Sequence, residues 1–140
     1  MTELLVNIDV DDLQRGIDFY CAAFGLRVGR RFGDGAVELL GAKAPIYLLV
    51  KAAGSPPHVG AERGRSYARH WTPVHLDFVV EDVEAATAQV EAAGGKREGE
   101  VVAAAWGKMV QLADPFGNGL CLIQFVAKGY DEIATGRGGD

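Results

Sequence analysis

The 140-residue chain has few cysteines, little positive charge and no long apolar segment. Its two cysteines, Cys21 and Cys121, form no CxxC pair and no Cys/His cluster with zinc spacing. This argues against a disulfide framework and a structural zinc site, and it fits a reducing compartment. The N-terminus lacks a basic and then apolar signal region, so we expect a cytoplasmic protein.

The charge balance and the hydropathy exclude two classes of partner. The chain has 14 Lys and Arg against 19 Asp and Glu, a formal net charge of −5. An acidic chain with scattered basic residues is a poor partner for nucleic acid. No apolar run approaches the length of a membrane span, so we expect no membrane partner either.

Two segments, 4–10 and 74–80, alternate with the period of two of a β-strand. Each has one apolar face, expected to pack on the helix that follows, and one face that carries polar groups. This pattern predicts a sheet with helices on one side and a partly polar cleft on the other. The polar faces consist of Leu5, Asn7 and Asp9 in the first segment and of His75, Asp77 and Val79 in the second.

The two strands begin two similar halves. Asp12 and Asp82 are natural N-caps of amphipathic helices, which end at Gly25 and at Gly94. Each half therefore reads strand, helix, strand, strand, strand, so that residue 5 corresponds to residue 75. The remaining strands are predicted at 27–32, 36–40 and 45–51 in the first half and at 95–102, 107–113 and 119–126 in the second.

This duplication predicts one domain over residues 1–140. It comprises module one (3–52), a linker (53–72), module two (73–127) and a tail (128–140). The linker has no clear period, and we interpret it as a spacer or as an ordered loop over one end of the cleft. In the tail, Tyr130 is expected to dock on the domain and 136–140 to be disordered.

Several motifs resemble the vicinal oxygen chelate superfamily, which contains glyoxalase I, bleomycin-resistance proteins and extradiol dioxygenases. The resemblance covers roughly residues 3 to 126, in order and with the expected spacing. The motifs are Ile8-Asp9-Val10-Asp11-Asp12-Leu13, Ile17-Asp18-Phe19-Tyr20, Phe24-Gly25-Leu26, the segment from His75 to Val83, Ala92-Ala93-Gly94-Gly95 and Asp114-Pro115-Phe116-Gly117-Asn118.

The resemblance implies an α+β fold of two βαβββ modules that form a cupped eight-stranded sheet around a cleft. It also implies a homodimer. In metal-dependent members, one ligand comes from the first strand and one from the fourth strand of each module. On this chain those positions fall on Leu5, about Tyr47, His75 and about Cys121.

These four positions do not make a good metal centre. Leu5 cannot coordinate, a Tyr47 phenol is a poor ligand for Zn²⁺ or Mg²⁺ near neutral pH, and a buried Cys121 can simply be a small hydrophobe. His75 is the one good metal ligand among the four. A histidine at this position can also act as a general base or as a polar residue of the cleft wall. We therefore expect no metal and no cofactor.

The candidate ligand-binding residues are the polar groups of the predicted cleft and nearby aromatic side chains. Asp77 either fixes the His75 tautomer or faces solvent at the rim. The resemblance implies a basic residue near position 9 in glutathione-using members, so the acid at this position argues against glutathione and favours a cationic or hydroxyl-bearing ligand. Trp71, Trp106 and Met109 are either walls of the cleft or structural contacts. The full set is Asn7, Asp9, Tyr47, Trp71, His75, Asp77, Trp106, Met109 and Cys121.

Two functions remain open. One is a metal-free binding protein of the drug-sequestering kind, which holds a small or drug-sized, partly aromatic ligand. The other is an enzyme (a lyase, isomerase or dioxygenase), with an atypical metal centre or acid–base chemistry at His75. We favour binding, because metal catalysis needs at least three good ligands. A cup filled by its own side chains is disfavoured by the cost of burying unpaired polar groups.

Overall fold

The computed structural model describes residues 1–138, so Gly139 and Asp140, the end of the segment expected to be disordered, lie outside the described residues. Two helices and nine strands follow the predicted order. They are β1 (Val6–Val10), α1 (Leu13–Phe24), β2 (Arg27–Phe32), β3 (Ala36–Leu40), β4 (Ile46–Val50), β5 (Leu76–Val79), α2 (Val83–Ala92), β6 (Lys96–Arg97), β7 (Val102–Ala104), β8 (Gly107–Ala113) and β9 (Gly119–Phe125).

Each module folds its own sheet. Module one has the strand order β1-β4-β3-β2, and module two has β5-β9-β8-β6, with β7 also pairing with β8. The first strand of each module is parallel to the last, and the other pairs are antiparallel. The α+β class and the repeated βαβββ order are confirmed.

One predicted strand is wrong. Residues 95–102 do not form a continuous strand but give β6, an irregular stretch and β7, which raises the strand count to nine. β6 and β7 lie along β8, and Lys96 pairs with Ala113 while Val102 pairs with Met109. The Gly99 and Glu100 segment between them carries no apolar alternation that would hold it on the sheet.

Both helices begin and end where the capping residues predict. The Asp12 side chain accepts a hydrogen bond from the Arg15 amide at 3.0 Å, and Asp82 accepts one from Ala85 at 3.1 Å. Gly25 stops α1 in the left-handed conformation, with φ of 66°. The helices pack together on one side of the sheets, and Phe24 of α1 stacks on Phe78 of β5 with ring centroids 3.8 Å apart.

The Asp-Pro-x-Gly-Asn turn is tied to the core through α1. The Asp114 carboxylate accepts hydrogen bonds from the amides of Phe116 and Asn118 at 2.8 and 2.9 Å and from Asn118 Nδ2 at 2.7 Å. The fully buried Tyr20 hydroxyl also donates to it. Burial and the Asp114 charge raise the pKa of Tyr20 well above its usual value. This network holds the start of β9 against α1.

Beyond the sheets, the tail packs back as expected, with the Tyr130 ring 4.8 Å from Phe125 and 5.1 Å from Trp106. Among residues 1–138, neither helix combines the length and the apolarity needed to cross a bilayer.

Candidate functional site

A cavity of about 450 Å³ lies between β1, β5 and the linker. Val6, Ile8, Leu76, Leu120 and Phe116 form its apolar wall. Its polar groups come from three places: the first strand of module one, the linker, and module two. They are Asn7, Asp9, Arg65, Ser66, Tyr67, His70, His75 and Asn118, and Tyr20 of α1 is a further lining residue.

The linker is ordered and covers this cavity. Arg65, whose side chain is 17% exposed, donates from Nε to Asp9 Oδ2 at 2.9 Å. The Tyr67 hydroxyl donates to the Lys51 carbonyl at 2.6 Å, and burial together with Asp9 raises the pKa of that phenol. These contacts fix the linker to module one at the mouth of the cavity.

The other end of the linker is fixed to module two. His70 forms an isolated parallel bridge with Asn118, and its Nε2 lies 2.8 Å from Asn118 Oδ1. The backbone amide of Gly119 donates to the His70 carbonyl at 2.8 Å. The linker is therefore in contact with both modules and contributes Arg65, Ser66, Tyr67 and His70 to the lining of the cavity.

Three side chains of module two converge beside the cavity. His75, in the cavity wall, places Nε2 at 3.2 Å from Asp77 Oδ1. Asp77 on β5 pairs with Cys121 on β9. One ligand atom from each of the three lies within 4.8 Å of the others. Burial, and then the Asp77 charge and hydrogen bond, raise the pKa of Cys121 to about 11, so its thiol is no nucleophile at neutral pH.

The corresponding face of module one carries a hydrogen-bonded ion pair instead. Glu38 on β3 accepts from Arg30 Nη2 at 2.6 Å and from the Tyr47 hydroxyl at 2.7 Å. The hydrogen bonds of Arg30, followed by that of Tyr47, lower the pKa of Glu38 to about 2. The hydrogen bond to Glu38 in turn raises the pKa of Tyr47. The Tyr47 hydroxyl is therefore a hydrogen-bond donor within this network.

A family model described as a glyoxalase-like domain matches residues 5–123. The chain belongs to this family. The predicted resemblance to the vicinal oxygen chelate superfamily is thereby confirmed. No curated protein sequence matches the chain.

Solved structures of the same superfamily show the same fold. A fosfomycin resistance protein, FosX, from Listeria monocytogenes is 15% identical, with a TM-score of 0.68 over 91% of this chain and 96% of that one. A lactoylglutathione lyase from Agrobacterium tumefaciens is 18% identical, with a TM-score of 0.61 over 89% and 94%. A glyoxalase/bleomycin resistance protein/dioxygenase family enzyme from Burkholderia phytofirmans is 17% identical, with a TM-score of 0.64 over 87% and 97%.

The metal positions implied by this glyoxalase-like family do not fit a metal ion here. The registers place Asn7 opposite Tyr47 in module one and Asp77 opposite Cys121 in module two, so Tyr47 and Cys121 are equivalent, as expected. Leu5 offers no donor atom, and the Tyr47 hydroxyl is hydrogen-bonded within the Glu38 network. The usual centre, with ligands from both modules, is not formed by these side chains.

The predicted site residues fall into three groups. Asn7, Asp9 and His75 line the cavity. Asp77 and Cys121 are not lining residues but lie close to His75. Tyr47 lies in the Arg30–Glu38 network, and Trp71 packs over Gly119 with its ring centroid 5.4 Å from that of His75. The structure does not bring Trp106 or Met109 to the cavity. Trp106 packs on Phe125 and Tyr130, and Met109 pairs with Val102 and Ile123.

The site list from the sequence omitted Arg65, Tyr67, His70 and Asn118. The concentration of aromatic and basic residues before module two was a signal for Tyr67 and His70. Asn118 belongs to a turn motif that is prominent in the sequence, but nothing in that motif shows that the linker reaches it. Arg65 had no local signal, because its partner Asp9 is distant in the chain.

Proposed function

We propose that this glyoxalase-like protein binds a small or drug-sized, partly aromatic ligand in the cavity between β1, β5 and the linker. The observation that carries the proposal is the cavity itself. Its volume of about 450 Å³ and its mainly apolar wall with a few polar groups are typical of small-molecule sites. The name of FosX, a fosfomycin resistance protein, associates that relative with a small drug molecule.

The polar contacts refine the expected ligand chemistry. Asp9 by itself favoured a cationic or hydroxyl-bearing ligand, but its carboxylate is paired with Arg65. Asn7 and His75 add an amide and an imidazole to the wall. We therefore propose a ligand with a flat apolar ring and one or two neutral oxygen groups, oriented by hydrogen bonds rather than by net charge.

The test is a library of one- and two-ring fragments screened by ligand-observed NMR. Val74 lines the cavity and is 74% exposed, so Val74→Trp adds bulk at the cavity without disturbing the core. Val59→Trp is the matched control, because Val59 is fully exposed and is not among the lining residues. We expect fragments that bind the wild type and Val59→Trp but lose at least tenfold in affinity for Val74→Trp.

Two results would contradict this proposal. One is a library with no binding fragment, and the other is a set of fragments that bind Val74→Trp as well as they bind the wild type. Circular dichroism and thermal melts of both variants exclude a folding defect as the reason for lost binding.

A second candidate function is catalysis at His75, favoured by its contact with Asp77. A carboxylate at 3.2 Å fixes the orientation of the imidazole, as a general base requires. Mass spectrometry of the binding fragments after incubation tests this candidate. A product formed by the wild type and by His58→Ala, but not by His75→Ala, supports catalysis, since His58 is an exposed linker histidine. The same product from His75→Ala would contradict it.

We also propose that the protein is a homodimer. Leu5, Phe32 and Val79 are 53%, 48% and 62% exposed, and apolar side chains of this size left at the surface favour a covering partner. Light scattering after size exclusion gives the mass directly. Twice the chain mass of 14.9 kDa is expected, and a single chain mass at micromolar concentration would contradict the proposal.

A further inference from the structure

We propose that the ion pair of Asp9 and Arg65 recognises the amide edge of a ligand, so that the cavity selects a neutral lactam fused to an aromatic ring. This inference rests on the proposed function and deepens it, because it names the chemical class of the ligand in the same cavity. Both residues line the cavity. They are 56 residues apart in the chain and join β1 to the linker.

Most polar groups of the cavity are already hydrogen-bonded within the protein. A group that has a partner inside the protein gains little from a ligand, because one hydrogen bond only replaces another. This holds for the side chains of Tyr20, Ser66, Tyr67, His70 and Asn118. The ligand therefore finds its strongest charged contacts at the Asp9–Arg65 pair, with Asn7 and His75 as the other polar groups of the wall.

The ion pair uses only part of its hydrogen-bonding capacity. Arg65 Nε donates to Asp9 Oδ2 at 2.9 Å. Arg65 Nη1 donates to the Ser55 hydroxyl at 3.1 Å and to the Pro56 carbonyl at 2.8 Å. Within residues 1–138, Arg65 Nη2 and Asp9 Oδ1 form no hydrogen bond with another group. The two partners of one ion pair thus keep one N–H donor group and one carboxylate oxygen for a ligand.

A donor and an acceptor on adjacent groups are complementary to a lactam. The amide of a small ring is cis, so its carbonyl oxygen and its N–H lie on the same edge. The carbonyl oxygen can accept from Arg65 Nη2 while the N–H donates to Asp9 Oδ1. Both hydrogen bonds are charge-assisted and therefore stronger than those between neutral groups. The pair has no net charge, so an ammonium or a carboxylate ligand would meet one attractive and one repulsive partner.

Both partners are held in place before a ligand binds. Asp9 lies on β1, where it pairs with Leu49 of β4. The Arg65 side chain is 17% exposed, and its Nη1 is fixed to the linker. Groups that are already ordered lose little conformational entropy on binding, which favours a rigid ligand. The apolar wall of the same cavity suits the aromatic ring of a fused lactam.

A matched pair of two-ring fragments isolates the contribution of the amide N–H. 2-Quinolone is a lactam, and coumarin has the same shape with a ring oxygen in place of the N–H. Both affinities are measured by ligand-observed NMR titration of the wild type. We expect 2-quinolone to bind about tenfold more tightly, because the ring oxygen of coumarin would face the Asp9 carboxylate with no proton between them.

Variants assign the two contacts. Asp9→Ala is expected to reduce the ratio of the two affinities to about one, since it removes the acceptor of the N–H. Arg65→Lys keeps the positive charge but not the fork of N–H groups, so it is expected to weaken both fragments about threefold and to preserve their ratio. Asp11→Ala is the control, because Asp11 is an exposed acid that does not line the cavity, and we expect wild-type affinities.

The ratio separates recognition from a purely structural role of the ion pair. A linker loosened by the loss of Asp9 would change both affinities by one factor and leave the ratio as it is. The Asp9 side chain is 38% exposed, so Asp9→Ala is expected to fold, and thermal melts check this. The ratio in the wild type tests the inference without any variant.

The inference is overturned if the wild type binds 2-quinolone no more tightly than coumarin, if the preference persists in Asp9→Ala, or if it disappears in Asp11→Ala. Unchanged affinities in Arg65→Lys also overturn it. Val74→Trp separates this inference from the proposed function. Fragments that bind the wild type equally well with or without the lactam, and that lose affinity in Val74→Trp, would contradict the inference alone. A library with no binding fragment would contradict both.

Discussion

The two modules share a topology but place different chemistry at equivalent positions. In module one, three positions on or beside the first and last strands hold Leu5, Asn7 and Tyr47. In module two, the same three positions hold His75, Asp77 and Cys121. One set is an alkyl group, an amide and a phenol, and the other is an imidazole, a carboxylate and a thiol. The backbone therefore determines where a site can be, and the side chains decide which module provides it.

The polar groups of the two modules also have different partners. In module one, Glu38 is bound by Arg30 and Tyr47, and Asp9 is bound by Arg65 of the linker. These pairs satisfy one another and stabilise the sheet and the linker. In module two, the hydrogen-bond network around Asp114 lies in the turn before β9 and does not include His75, Asp77 or Cys121, which lie close to one another. Module one thus contributes charges that are already paired to the cavity, and module two contributes the imidazole of His75.

Breaking the turn of module two is expected to give the largest loss of stability. Asp114→Ala removes the acceptor of four hydrogen bonds, including that of buried Tyr20, and leaves these donors without a partner. We expect a loss of about 3 kcal/mol or more in the free energy of unfolding, measured with urea. Asp34→Ala, in the exposed turn between β2 and β3, is the control, with an expected change within about 0.5 kcal/mol. Equal effects of the two variants would contradict this assignment.

A smaller loss is expected where the linker meets module two. A Cβ atom at Gly119 would overlap the indole ring of Trp71, so Gly119→Ala must displace Trp71. We expect a loss of about 1 to 3 kcal/mol and a red shift of the tryptophan fluorescence. Gly99→Ala is the control, because a Cβ atom there meets no other atom within 4 Å. An unshifted spectrum in Gly119→Ala would show that Trp71 does not pack as described.

Module one is expected to show the clearest pH dependence. Glu38 has an ordinary pKa of 4.5 and a folded pKa of about 2, because Arg30 and Tyr47 stabilise the carboxylate. Its contribution to stability is therefore complete above pH 4.5 and is lost as the pH falls from 4.5 toward 2. In urea titrations, the advantage of the wild type over Glu38→Gln is expected to shrink over this range. The exposed Glu62→Gln serves as control, and a gap that stays constant with pH would contradict the prediction.

The smallest effect is expected at the surface of module two. Lys108 Nζ lies 3.7 Å from Glu84 Oε1, and both side chains are well exposed. Glu84→Gln is expected to cost less than about 0.5 kcal/mol, and salt should remove the difference. A larger, salt-insensitive loss in the urea midpoint would mean that α2 depends on this pair.

The fold could be predicted from the sequence because its signals are local. The alternation of β1 and β5, the N-caps Asp12 and Asp82, and the stop at Gly25 each act within a few residues. The broken strand at 95–102 was missed for the same reason. β6 and β7 are held by pairing with β8, and the lack of apolar alternation at Gly99 and Glu100 was too short a local signal to mark the interruption.

The candidate site was less predictable because its contacts join distant segments. The pairing of Asp9 with Arg65 changes the expected ligand, yet neither residue indicates the other in the sequence. Asp77 was weighed as a partner of His75, but its closeness to Cys121 depends on the register between β5 and β9. Trp106 and Met109 were included for their residue type, and packing places them elsewhere.

The parallel pairing of the first and last strands within each module has a further consequence for how far the two halves depend on the covalent bond between them. Val6 pairs with Ile46 and Leu76 with Leu120, so within the described part of the chain, residues 1–138, all strand pairing stays inside one module or the other. A cut between Val59 and Gly60, at the exposed tip of the linker, would leave two peptides that each hold a whole sheet and a helix. The contact between α1 and α2 and the Arg65–Asp9 ion pair would then join the peptides without a covalent bond. The linker makes assembly intramolecular, and co-expressed halves should rebuild the same cavity.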